Sequence, residues 1–267
     1  MPIEPYSTPE MVQFHKNIFF LLNTCSRMCG EFIEEVNHAM HEVVPELKKN
    51  AERYPEQLIR FCRMDYNIRA KWEWNGGIDL LNFSWQDAAT QPGTALGDAY
   101  HLLNSVLTRR DGGFLHNHAN QAPIIILLLA GTPIDDVGSG LSVLRKNNWF
   151  QASIKIAIEV DDNSFHQYLL DFTMDEDAII HVDGTNLRKM LKDIMIRSVM
   201  SAHKWGPPKN ILGEIIGKPL NFIDFIDPEE SNKNYSTDDM WDDLFFLNHS
   251  KIVISSLSNV INENLPQ

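Results

Sequence analysis

Short, unbroken apolar runs alternate along the chain with longer stretches in which apolar residues recur every three or four positions. Residues 17–22, NIFFLL, are the first such run, the pattern of a strand covered on both faces. Residues 30–50 follow, with Phe32, Ile33, Val36, Met40, Val43, Val44 and Leu47 on one helical stripe. Residues 57–65, QLIRFCRMD, alternate polar and apolar positions like a strand. Ile68, Ala70, Trp72 and Trp74 alternate with Arg69, Lys71 and Glu73, which suits a strand nearer an edge. The turn TQPG then leads into a helix with Thr94 near its start.

Residues 124–129 are the most apolar strand, and 135–150 predict a helix despite Gly138 and Gly140. A strand over 153–160, a short helix over 163–172, a last strand over 178–182 and an amphipathic helix over 185–202 complete the pattern. Strands that alternate with helices predict βαβ units with right-handed crossovers. The fold class expected is therefore α/β: a doubly wound, mostly parallel sheet flanked by helices. Pro207-Pro208 marks a boundary. The expected organisation is an arm over 1–14, one domain over 15–202 and a C-terminal acidic-aromatic extension over 203–267. That extension mixes carboxylates such as Asp224, Asp227, Asp242 and Asp243 with Phe222, Phe225, Trp241, Phe245 and Phe246. Solvated linkers are poor in aromatics, so it is expected to pack on its own domain or on a partner.

Composition narrows the function classes. The 267 residues carry a formal charge of -13, which argues against broad attraction to nucleic acid or anionic lipid. Cys25, Cys29 and Cys62 are too few for a disulfide framework. The apolar run 122–130 is far shorter than the roughly 20 residues of a membrane span, and no signal peptide is visible. The reading is a soluble protein of a reducing cytoplasm, with no nucleic-acid and no membrane partner.

Three segments carry a resemblance. They are NTCSRM (23–28) after the first strand, PGTALGDAYHLL (92–103) at a helix start, and LLLAGTPIDD (127–136) after the central strand. In this order they resemble the three loops of a von Willebrand factor A (VWA) domain, which build a metal site, called MIDAS, at the carboxyl edge of a doubly wound sheet. The segments SIKIAIEVDDNSFHQYLLDF and DAIIHVDGTNLRKMLKDIMIRSVMSA resemble the closing elements of the TerY-like branch of that family. The likeness covers about residues 15–202.

Set against the family pattern, the first-loop Asp falls on Asn23, the two serines on Cys25 and Arg27, and the third-loop Asp on Ala130; Thr94 alone is kept. A hard divalent cation wants several oxygen ligands with carboxylate charge. Asn23 offers a neutral oxygen, Cys25 a soft sulfur, and Arg27 a fixed positive charge. The expectation is a degenerate site with no metal and no cofactor. Asn23, Cys25, Arg27, Thr94, Ala130, Asp135 and Asp136 would instead form a partner-binding position. Arg27 is expected to pair with Asp135 or Asp136, or to receive a partner's carboxylate bidentately.

Other chemistry is weaker. Cys25 near a helix N-terminus would make an activated thiol only with a positioned base. Cys25, Cys29 and Cys62 with His116 or His118 lack the paired short spacings of a structural zinc site. Gly138-Ser-Gly140 lacks the third glycine of a dinucleotide loop. Trp72, Trp74 and Trp85 are either a ligand platform or a cover over the sheet. No GxSxG or Walker A motif is present. The function expected is a non-enzymatic interaction module. The TerY-like resemblance implies a Ser/Thr protein kinase and a metal-dependent protein phosphatase as partners in bacterial stress signalling. The alternative is a doubly wound α/β enzyme, a hydrolase or nucleotide-binding protein, using the same cleft.

Overall fold

In the computed structural model of the chain, residues 14–115, 120–161 and 163–201 are described. The expectations for the arm, for His116 and His118, and for the extension lie outside them, apart from Phe14.

Among the described residues, seven strands form one sheet. They are β1 (Phe14–Asn23), β2 (Gln57–Tyr66), β3 (Ala70–Trp72), β4 (Ile78–Asp79), β5 (Ile124–Leu129), β6 (Ile154–Val160) and β7 (Ile179–Val182). Their order is β3-β2-β1-β5-β6-β7, with β4 on the outer side of β2. β1, β2, β5, β6 and β7 are parallel, and β3 and β4 run antiparallel against β2. The order reverses between β1 and β5, where the chain leaves the sheet's centre in both directions. That switch point opens a crevice at the carboxyl ends of the strands.

The six helices described are α1 (Glu31–Ala51), α2 (Leu96–Val106), α3 (Val137–Leu144), α4 (Asn148–Ala152), α5 (His166–Thr173) and α6 (Leu187–Ser201). α1 and α6 pack together on one face. There Ile18, Phe20 and Leu22 of β1 meet Val36, Met40, Val43, Leu191 and Met195, all fully or almost fully buried. The other face buries Phe19 and Leu21 near Phe114, and stacks Tyr100 on Phe172 at 5.6 Å. Both faces of β1 and β5 are therefore dry, as their unbroken apolar runs require. None of the described helices is long and apolar enough to cross a membrane.

Two expectations change in detail. The stretch 135–150 is two helices, because Asn147 accepts from the N–H groups of Trp149 and Phe150 and starts a new one. The polar positions of β2 do not mark a wet face. Arg63 and Asp65 are 2% and 4% exposed and pair through two hydrogen bonds of 2.7 Å, with the guanidinium 4.0 Å over Trp85. Trp72 and Trp74 cover the sheet edge against Phe114 and Phe83. Gly140 serves helix packing, since a Cβ there would lie 2.5 Å from the Gly97 carbonyl oxygen of α2.

Burial also sets a pH dependence. It pushes Lys16 of β1 down to about 7 and Lys155 of β6 down to about 8. Above those values the folded chain has released protons that the unfolded chain still holds, so stability rises with pH. Between pH 7 and 8.5 the melting temperature should climb. Lys16→Met should be more stable at pH 7 and should lose the part of the rise that begins near 7. Above pH 9 the buried Cys62 thiol, pushed up to about 12, works in the opposite sense. A parent that melts at the same or a lower temperature across pH 7–8.5 would contradict this account.

Candidate functional site

The carboxyl end of β1 is held by one side chain. Asn23 is fully buried, and its Oδ1 accepts the Ala130 N–H at 3.2 Å just past β5. Its Nδ2 donates to the Tyr66 carbonyl at 3.1 Å, at the end of β2, and makes a longer contact of 3.5 Å with Thr94 Oγ1. One neutral amide thus ties three neighbouring strand ends and the turn before α2. Its orientation follows from its partners, because an N–H needs an acceptor and a carbonyl needs a donor. A carboxylate at this position would satisfy Ala130 but would face the Tyr66 carbonyl with a lone pair.

The surrounding loops are bound by their backbones. Thr24 N–H donates to Tyr66 O, Gln91 N–H to Thr24 O, Ala95 N–H to Asn67 O and Ile134 N–H to Thr94 O. Asn67 Nδ2 donates to Thr24 Oγ1 at 2.9 Å. After Cys25 the chain makes a single 3-10 turn over Ser26–Met28, then enters α1 through Gly30 at φ +81°. A positive φ suits glycine there.

The sequence-expected residues divide into two groups. Asn23, Cys25, Thr94 and Ala130 come together. A Cβ on Gly131 would lie 2.6 Å from Thr94 Oγ1 and 2.8 Å from Cys25 Sγ, so the backbone after β5 sits directly against them. Arg27, Asp135 and Asp136 are elsewhere engaged: Arg27 does pair with a carboxylate, but not with Asp135 or Asp136. Arg27 meets Asp161, past the end of β6, at 3.3 Å, with its guanidinium 5.3 Å from the Phe165 ring centre. Asp135 accepts the N–H groups of Gly97 and Asp98 at 3.0 and 2.7 Å, capping α2. Asp136 accepts the Ser139 N–H and caps α3. Carboxylates at helix N-termini meet unsatisfied N–H groups and a favourable dipole, so these two are not drawn to the guanidinium.

The metal that the resemblance implies does not fit this donor set. No carboxylate is among Asn23, Cys25, Thr94 and Ala130, the amide oxygen is committed to a backbone N–H, and Gly131 lies close against the others. A hard cation needs oxygen ligands and negative charge.

Two residues missed from the sequence belong to this edge. Ile68, in the β2–β3 turn, and Ile134, after β5, are 62% and 61% exposed. Both lie against Gly93, where a Cβ would come within 3.0 Å of Ile68 Cα and 3.1 Å of Ile134 Cδ1. They flank Gly93 beside the Thr94 turn as two exposed apolar residues, with Arg69, Asp135 and Asp136 also exposed there. Ile68 reads in sequence as one more position of an edge strand.

No family model matches the chain, and no curated protein matches it. Solved structures do. The pilus adhesin SpaC of Lactobacillus rhamnosus GG superposes with a TM-score of 0.53 at 10% identity, over 71% of this chain and 30% of the adhesin. The vWF domain of the type V pilus tip protein Mfa5 of Porphyromonas gingivalis gives 0.49 at 10% identity, over 73% of this chain and 98% of that one. Proximal thread matrix protein 1 of the mussel byssus gives 0.48 at 17% identity, over 70% of this chain and 47% of its own. The chain spans about half the length of the mussel protein and less than a third of the adhesin. The chain has a VWA-like doubly wound α/β fold. The identities carry no more than the fold.

The tight packing at Gly131 makes a prediction. Gly131→Ala should cost about 1–3 kcal/mol by overpacking. Gly138→Ala, whose Cβ would meet only Asp136 Oδ1 at 3.5 Å, should be neutral or stabilising by up to about 1 kcal/mol, from helix propensity. Denaturant melts that rank the two in the opposite order would contradict the packing described.

Proposed function

We propose that the chain is a non-enzymatic protein-interaction module that binds its partner at the carboxyl edge of the sheet without a bridging metal. The observation that carries this is the Ile68–Ile134 pair, two large apolar side chains left in water beside the Thr94 turn. An exposed apolar contact with a charged rim suits a protein surface. The edge is also where a doubly wound sheet binds ligands by topology. The Asn23 amide supplies neutral hydrogen bonds where the family's pattern has a metal ligand, which supports the reading of a degenerate site at Asn23, Cys25, Arg27, Thr94 and Ala130. Arg27 would have to give up Asp161 before it received a partner's carboxylate, so the apolar pair is the better anchor. The TerY-like resemblance supports a cytoplasmic role beside a Ser/Thr protein kinase and a metal-dependent protein phosphatase in bacterial stress signalling. The enzyme alternative is disfavoured by Cys25, which is 4% exposed and has no base bonded to it among the described residues.

A pull-down from host lysate with the full chain as bait, run in Mg²⁺ and in EDTA, tests the reading. The same proteins should be recovered in both buffers and be lost with Ile134→Asp, which leaves the fold intact as judged by its melt. Partners that require Mg²⁺, or that survive both Ile134→Asp and Ile68→Asp, would overturn it.

A further inference from the structure

The opposite end of the parallel sheet's carboxyl edge holds a second cluster, built by strand register. Glu159 of β6 and His181 of β7 are direct neighbours in the parallel ladder, so their side chains leave the sheet on the same face. α5 covers that face and begins with His166. One Glu159 oxygen, Oε1, accepts the Phe165 N–H at 2.8 Å. The other, Oε2, lies 2.8 Å from His181 Nδ1 and 3.9 Å from His166 Nδ1. Glu159 is 1% exposed, and Oε2 is buried without a hydrogen bond, since the close approach of His181 does not make one.

A buried carboxylate oxygen without a hydrogen bond, facing two imidazole nitrogens, is a place a cation would satisfy. We propose that Glu159, His166 and His181 bind a zinc-class divalent ion through Oε2 and the two Nδ1 atoms. The three ligand atoms lie within 4.8 Å of one another. Tetrahedral zinc, with bonds of about 2.0–2.2 Å, sets its ligands about 3.3–3.5 Å apart. The observed 2.8 and 3.9 Å bracket that spacing, and the half-exposed histidines can close the difference by small rotations. The ring of His166 is already oriented for the task. Its Nε2 lies 3.1 Å from Glu176 Oε2; a proton held on Nε2 by that contact leaves the Nδ1 lone pair, 3.9 Å from Glu159 Oε2, for a metal. A carboxylate behind a ligating imidazole is the usual outer support of a metal-bound histidine. The two imidazole rings lie nearly parallel, with centres 5.7 Å apart, and both side chains are partly exposed to solvent, which could supply a water as fourth ligand. Two nitrogens and one carboxylate favour zinc and its transition-metal neighbours over Mg²⁺ or Ca²⁺. The site is separate from the Asn23 loop and shares no residue with it.

Zinc and cobalt titrated into the metal-stripped full chain, by calorimetry and by the visible spectrum of bound Co²⁺, test the proposal. One equivalent should bind with a dissociation constant below about 10 µM, as three well-placed protein ligands allow. His166→Ala and His181→Ala should each weaken it at least tenfold. Glu176→Gln should weaken it about tenfold through the outer hydrogen bond. Replacing His116 and His118 together should leave it unchanged. Both single histidine variants remove partly exposed side chains, and their melts report whether the fold is kept. No saturable binding by the parent, or binding undiminished in both single variants, would overturn the assignment.

Discussion

The carboxyl edge of this sheet depends on one buried amide. Where parallel strands end, the last backbone groups lose their ladder partners and must find others or remain unsatisfied in a dry interior. Asn23 answers with a donor and an acceptor on one planar group, joining β1 to the ends of β2 and β5 and approaching Thr94. A carboxylate can hold the same ground only with a cation to compensate it. The neutral amide needs none. The rest of the edge is consistent with that choice. Gly131 lies directly against Thr94 and Cys25, Asp135 and Asp136 cap the helices beside them, and Arg27 turns to Asp161 and Phe165 on the far side of β5.

The fold was largely legible because its strands differ so much from its helices. IFFLL (18–22) and IIILLL (124–129) are apolar without interruption, the pattern of a strand covered on both faces. The stripe from Phe32 to Leu47 has helical period, and the observed α1 ends within one or two residues of the expectation. Thr94 reads as a helix start and lies two residues before α2. The split of 135–150 was also written locally, in the Asn147 that caps α4.

The site was only half legible, for a physical reason. Which residues face one another across loops depends on tertiary packing, which periodicity does not encode. Pairing Arg27 with Asp135 or Asp136 rests on loops that adjoin in the family's arrangement. The sequence did carry a contrary signal at Asp136, since an Asp just before a helix is an N-cap pattern and Asp136 caps α3 that way; Asp135 caps α2, a helix distant in sequence, which no local pattern marks. The Glu159–His181 pair depends on parallel register across a crossover, which no local pattern sets. The exposure of Ile68 and Ile134 depends likewise on which turns meet at Gly93.

The two ends of the carboxyl edge thus differ in chemistry: neutral hydrogen bonds and an apolar pair near β1, imidazoles and a buried carboxylate between β6 and β7. The claim on which the account turns is that position 23 needs an amide and has no use for a metal ligand. Asn23→Asp measures it most directly, by thermal melts in EDTA and in millimolar Mg²⁺. The account predicts a loss of about 2–4 kcal/mol at neutral pH, from a buried charge that faces a carbonyl, with no recovery in Mg²⁺. A variant as stable as the parent, or one restored by Mg²⁺, would contradict it.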